Sequence, residues 1–204
     1  MSTFTQTKRL LKYRMGLLRL KKMGLAKVFS YTLGKEAGVS AELVRKDFSN
    51  FGIKGNRRGG YDVDDLLSSL ETIFGKDRVQ NVVIIGMGNM GKALSLYKGF
   101  DDNNMHIVAG FDIDPAKINK KFHIPVYPVE NLKEVIEAFH VSLAILAVPE
   151  IVAQESADLL VRNGIKAILN LAPVLLKVPD DVLVNNVNLM VELERLMYHS
   201  GVLK

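Results

Sequence analysis

The spacing of apolar positions divides the chain into two stretches of different period. Between Phe4 and Met23, Leu10, Tyr13, Leu17 and Leu20 recur at helical intervals with lysines and arginines among them, and Gly24 ends the run. A second, short helix follows Ser30 and turns Leu33 and Ala37 inward. Gly38-Val39-Ser40 then turns the chain, and Ser40 is placed to N-cap a third helix with Glu42 in its first turn. On that helix Val44, Phe48 and Phe51 share one face, while Glu42, Arg45, Lys46 and Ser49 occupy the other. Gly52 stops it. Lys54 to Tyr61 reads as a glycine-rich hairpin, and Asp62 to Gly75 as a linking helix carrying Val63, Leu66, Leu67, Leu70 and Ile73.

After Lys76 the pattern changes. Val82 to Ile85 is a continuous apolar run, as a parallel strand buried on both faces requires. Similar runs at Ile107 to Phe111, Ser142 to Val148 and Ala167 to Leu171 alternate with helical segments near Asn89 to Lys98, Leu132 to Phe139 and Ile151 to Asn163. That alternation predicts an α/β fold with a doubly wound parallel sheet. The boundaries it sets are 1–76, 77–186 and a C-terminal helical segment, 187–204.

Charge sharpens the division. The first 60 residues hold 14 Lys and Arg against 3 Asp and Glu, a net +11, whereas the remaining residues carry 13 against 19, a net −6. A single-sign excess over a whole structural unit points to a polyanionic partner. The segment lacks the exposed apolar face of an interfacial membrane helix, which favours nucleic acid. Two helices joined by a glycine-containing turn, the second basic on its polar face, form a helix-turn-helix, and the hairpin beyond completes a winged helix. Its third helix fits the major groove, with the wing at backbone or minor groove. The chain contains no cysteine, so disulfides, thiolate catalysis and cysteine-ligated zinc are excluded. No apolar run approaches the roughly 20 residues of a membrane span, and the polar, basic start lacks a secretory signal. A soluble, cytoplasmic protein is expected.

Gly86-Met87-Gly88-Asn89-Met90-Gly91 follows the first buried strand and opens a helix. In that context the three glycines serve a tight turn, close backbone approach to a pyrophosphate, and helix–strand packing. Free amides at the helix N-terminus suit the phosphates. Asp112 ends the second strand 21 residues past Gly91, where a carboxylate accepts from adenosine ribose hydroxyls and repels a 2′-phosphate, so NAD(H) is expected over NADP(H). Asp114-Pro115 reads as an N-cap and first helical residue. His106, His123, His140 and His199 sit in no motif with a carboxylate or hydroxyl, and are expected to be structural or solvent-facing. No neighbours single out Lys166 or Lys177. The pairs Asp64-Asp65, Asp101-Asp102 and Asp180-Asp181 lack metal-ligand spacing, so no metal is expected.

The run Val39 to Gly52, Gly60-Tyr61-Asp62-Val63, the glycine loop, Phe111 to Pro115, Ala147-Val148-Pro149 and Gly164 to Pro173 together resemble the Rex family of redox-sensing transcriptional repressors, across nearly the whole chain. The Arg45-Lys46-Asp47 block joined to a Rossmann half is specific to that family. The resemblance implies a winged-helix DNA-binding domain, a Rossmann-type NAD(H)-binding domain, and a homodimer exchanging the C-terminal helix, here about Leu189 to Gly201. It implies a repressor that binds an inverted-repeat operator and is released by NADH, not an enzyme. Carried over, Arg45, Lys46 and Ser49 would contact DNA from the recognition helix, and Arg57 and Tyr61 from the wing, where the extra Arg58 should strengthen phosphate attraction. Gly86, Gly88, Asn89, Met90, Gly91 and Asp112 would hold adenosine and pyrophosphate. Val148, Pro149, Ala172 and Pro173 would line the nicotinamide side, with Tyr97 nearby in the redox readout.

Two departures stand out. The family's wing usually reads Arg-Gly-Val-Gly-Tyr, but here it is Arg57-Arg58-Gly59-Gly60-Tyr61. The C-terminal helix usually opens Val-Asp-Leu, whose aspartate joins a tyrosine and an arginine in a charge-dependent switch. This chain has Val187-Asn188-Leu189, and Met15 or its neighbour Arg14 stands where the arginine would be. Tyr97 and Asn188 are therefore the expected switch residues. Two other readings remain open at this point: an NAD-dependent oxidoreductase with a basic N-terminal appendage, and a DNA- and nucleotide-binding module that has lost redox coupling.

Overall fold

The computed structural model describes residues 4–56, 59–75, 78–118 and 122–201. It comprises two compact units, Met1–Arg78 and Val79–Lys204.

The first unit runs α1 (Phe4–Lys22), β1 (Lys27–Val28), α2 (Ser30–Ala37), α3 (Ala41–Asn50), β2 (Tyr61–Asp62) and α4 (Val63–Ile73). Ser40 caps α3 as expected, its hydroxyl accepting from the Leu43 N–H. Gly38 ends α2 in the left-handed region, φ 71°, where glycine is favoured. The core gathers Leu10, Tyr13, Leu17 and Leu20 of α1, Leu33 and Ala37 of α2, and Val44 and Phe48 of α3. Each large aliphatic side chain removed from water there contributes about 1.5–3 kcal/mol. Helix α4 is not a linker: Val63, Leu66, Leu67 and Leu70 are buried in this same core, and Asp62 caps it by accepting from the Asp64 and Asp65 amides. The hairpin is closed by the Asn56–Gly60 bridge. Its outgoing strand β2 pairs antiparallel with β1, an element the sequence pattern did not disclose.

The second unit runs β3 (Gln80–Ile85), α5 (Asn89–Ser95), β4 (Met105–Asp112), β5 (Val126–Pro128), α6 (Leu132–Ala138), β6 (Leu143–Leu146), α7 (Glu150–Arg162), β7 (Ala167–Asn170), β8 (Leu183–Asn186) and α8 (Leu189–Ser200). All six strands are parallel, in the order β5-β4-β3-β6-β7-β8. This is the doubly wound order in which a ligand crevice opens where the winding reverses, beyond the C-terminal ends of β3 and β6. Val83 and Ile85 point into one core with Phe111, Leu146 and Leu160, while Val82 and Ile84 point into another with Met87, Val126 and Ile145. Burial on both faces is why β3 shows no alternation in sequence. Strands β5 and β8 were missed by the pattern because both lie at sheet edges and are short. One is flanked by Pro125 and Pro128, the other carries Asn185-Asn186. Helix α5 stops at Ser95, earlier than the expected Lys98.

Candidate nucleotide cleft and nucleic-acid face

A cleft of about 530 Å³ opens at the switch point, lined by Gly86, Gly88, Asp112, Lys117, Val148 and Pro149 among others. Gly86 leaves β3 with φ 95°. A Cβ there would run into the Ala147 carbonyl, and a Cβ at Gly91 would run into the Gly86 carbonyl, so both glycines are required by the close approach of strand, loop and helix. Gly88 differs: it N-caps α5 with φ −70°, and nothing lies within 4 Å of a Cβ placed on it. The protein itself does not need a glycine at 88.

Asp112 is 7% exposed at the end of β4. Its Oδ2 accepts from the Met87 N–H at 2.8 Å and from Lys117 Nζ at 3.0 Å, and its Oδ1 accepts from the Asp114 N–H at 2.9 Å. Burial pushes this carboxyl up, but the hydrogen bonds from the Asp114 N–H, Lys117 and the Met87 N–H outweigh it and hold the group below the usual carboxylate range. Asp112 thus shapes the glycine loop as well as facing the cleft. Asn170, wholly buried at the end of β7, accepts from the Ala172 N–H at 3.0 Å and donates to the Val174 carbonyl and to Asn186 Oδ1. It fixes the turn bearing Ala172 and Pro173. Lys117 carries no motif signal, and Asn170, though within the Gly164 to Pro173 run, is not among the site residues the sequence predicts.

Of the expected cofactor residues, Gly86, Gly88, Asp112, Val148 and Pro149 line the cleft together. Asn89 and Met90 are exposed on the first turn of α5, and Gly91 is buried behind the loop. Ala172 is buried and Pro173 exposed beyond β7. Tyr97 does not line this cleft. It is 61% exposed, its ring edge-to-face with Phe100 at 5.2 Å, beside a separate 310 Å³ cavity with His106 and His123. Asn188 is the N-cap of α8, its Oδ1 accepting from the Met190 and Val191 amides. Among the described residues, no group of three or more His, Asp or Glu could hold a metal ion.

On the first unit, Arg45, Lys46 and Ser49 are exposed on α3 opposite the buried Val44, Asp47 and Phe48. Arg45 donates to Ser30 Oγ at 2.9 Å and lies 3.6 Å from Glu42. Arg57 and Arg58 lie outside the described residues. Tyr61 is half-buried, its ring edge-to-face on Phe48 at 5.1 Å, and burial pushes its hydroxyl above its ordinary range. It anchors the base of the hairpin to the core. Behind the exposed face of α3, Asp47 is 1% exposed and accepts from Arg9 through both oxygens, at 2.6 and 2.7 Å, and from the Tyr13 hydroxyl at 2.9 Å. Arg14 is nearly buried and reaches Glu71 at 3.2 Å, whereas Met15 is 69% exposed. Of the two, Met15 is the side chain α1 presents outward.

Comparison with known proteins agrees with this division. The family model described as "Putative DNA-binding protein N-terminus" matches residues 6–49, and the CoA binding domain model matches residues 77–174. A redox-sensing transcriptional repressor Rex of Pelotomaculum thermopropionicum is 45% identical over 94% of this chain and 90% of its own length. That of Lactobacillus acidophilus is 41% identical over 94% of this chain and 91% of its own. Among solved structures, RSP in complex with β-NAD+ and operator DNA superposes with a TM-score of 0.93 at 36% identity, covering 98% of this chain and 93% of that one. RSP in complex with β-NADH gives a TM-score of 0.88 at 36% identity, covering 98% and 95%.

Proposed function

Because this chain belongs to the Rex family of redox-sensing transcriptional repressors, we propose that it binds operator DNA as a homodimer and lets go when NADH occupies its cleft. Family members are repressors and not enzymes, which removes the oxidoreductase reading. The observation carrying the proposal is that one chain holds both a cationic face on a capped recognition helix and a glycine-loop cleft with a carboxylate at its ribose end.

The domains are 1–76, binding DNA; 77–186, binding NAD(H); and 187–204, exchanged between subunits. Arg45, Lys46 and Ser49 read the operator, with Arg57 and Arg58 adding phosphate attraction and Tyr61 setting the hairpin's base. Gly88 leaves room for the pyrophosphate at the N-terminus of α5, and Asp112 accepts from the ribose. The bound dinucleotide supplies the redox signal. The face of α8 bearing Leu189, Leu193, Leu196 and Met197, 45–62% exposed in one chain, packs on a second copy. A two-fold dimer matches an inverted-repeat operator. A repressor of this kind works in the cytoplasm, beside the chromosome.

The test is operator binding by the purified full-length protein, titrated with NADH and separately with NAD+, alongside sedimentation. NADH should release DNA at concentrations where NAD+ does not, the complex should contain two chains, and affinity should fall steeply with salt. Arg45→Ala should lose about 10- to 100-fold in operator affinity while keeping NADH affinity. Equal effects of the two nucleotides would leave only an uncoupled binding module. Joint loss of DNA and NADH binding in Arg45→Ala would show that the helix has been wrongly assigned.

A further inference from the structure

Lys117 stands beside Asp112 in the cleft, and its charge bears on which dinucleotides enter. Its Nζ lies 3.0 Å from Asp112 Oδ2 and 3.8 Å from Asp114 Oδ2, and its side chain is only 31% exposed. An ionised carboxylate offers about four lone-pair positions. The Met87 N–H, the Asp114 N–H and Lys117 already fill three on Asp112. One position cannot take both hydroxyls of a ribose diol. The ammonium has three donors and, among the described residues, two carboxylate partners, which leaves a donor for the second hydroxyl.

The same geometry sets the local charge. Asp112 and Asp114 without Lys117 would present two negative charges to the adenosine ribose; with it the corner carries one. We infer that Lys117 is a specificity-determining residue of the dinucleotide cleft, softening the carboxylates' repulsion of a phosphorylated ribose so that NADPH is disfavoured yet admitted. This rests on the cleft binding NADH at all. Removing Lys117 leaves the two backbone donors on Asp112 in place, so the glycine loop stays held and the effect falls on charge.

The experiment is equilibrium titration of the full-length protein with NADH and with NADPH, for the parent, Lys117→Met and Lys117→Arg. The parent should bind both, NADH more tightly. Lys117→Met should widen the NADH preference roughly tenfold, the size expected of one unit charge a few ångströms away under partial solvent screening. Lys117→Arg should keep the parent's ratio. An unchanged ratio in Lys117→Met, a larger loss for NADH than for NADPH, or no measurable NADPH binding by the parent would overturn the assignment while leaving NADH sensing intact. Failure of the parent to bind NADH would overturn both.

Discussion

At the scale of single residues, the glycine loop separates what the fold needs from what a ligand needs. Gly91 is required by packing, because a Cβ would strike the Gly86 carbonyl, whereas Gly88 faces open space at an ordinary φ. Gly91→Ala should therefore lower both the melting temperature and NADH affinity. Gly88→Ala should lower the melting temperature by no more than a few degrees, since exchanging a glycine N-cap for alanine costs about 1 kcal/mol or less, yet weaken NADH at least tenfold by placing a methyl where a pyrophosphate on the loop would sit. Thermal unfolding and NADH titration of the two variants check this. A Gly88→Ala protein that binds NADH like its parent would mean that no phosphate passes over the loop. The glycines and Asp112 were legible in sequence because each performs a fixed task at a fixed offset from a strand. Lys117 and Asn170 were not, since their partners (Asp112 Oδ2, the Ala172 amide) are brought to them by the fold and their residue types carry no spacing rule. Tyr97, named by resemblance, lies outside the cleft's lining, which residue identity alone could not reveal.

At the scale of elements, helix α3 is fixed from behind. Asp47 ties α3 to α1 through Arg9 and Tyr13. Burial pushes the Asp47 carboxyl up, but the hydrogen bonds from Arg9 and Tyr13 outweigh it, so its folded pKa lies below the ordinary value. A depressed folded pKa gives stability that is present above the unfolded carboxyl range, about 3.9, and is lost as pH falls through the folded value. Asp47→Asn should thus destabilise the first unit at neutral pH by roughly 3 kcal/mol. That is the low end of the cost of breaking a buried pair, because Arg9 retains some solvent. The deficit should narrow below about pH 4 as the parent's own carboxylate protonates. Melting curves of both proteins across pH 3 to 8 measure it, and a constant difference across that range would rule out the ion pair as the source. The helices and central strands were legible because period 3.6 and uninterrupted apolar runs survive in the sequence. Strands β1, β5 and β8 were not, being two to four residues long and defined by their partners. The helix at Val63–Ile73 was visible as a helix but not as a core element, because an apolar face does not say what it packs on.

At the scale of the whole molecule, coupling between nucleotide and DNA in the proposed dimer would depend on how two dimer states differ in energy, because a ligand shifts such a balance only by its differential affinity for them. Asn188 stands where the family resemblance implies an aspartate. Its Oδ1 caps α8 through the Met190 and Val191 amides, a task aspartate performs equally well with a favourable charge at the helix's positive end. The cap alone therefore gives no reason for asparagine. The cation an aspartate would pair with is also missing from α1, where Met15 faces outward and Arg14 is engaged by Glu71. An aspartate paired with a cation would make a charge-assisted contact, about twice as strong as a neutral one. On the reading proposed above, a chain without that pair should favour one dimer state less strongly, and its NADH response should shift without being abolished. Asn188→Asp should leave the intrinsic contacts to DNA intact, because the cap is kept and α3 is untouched. It should move the NADH midpoint for DNA release by several-fold, and Met15→Arg combined with Asn188→Asp should move it further than the two single changes added together. Release curves for the four proteins at fixed salt decide the matter: superimposable curves would exclude positions 15 and 188 from the switch and place the coupling elsewhere in the dimer.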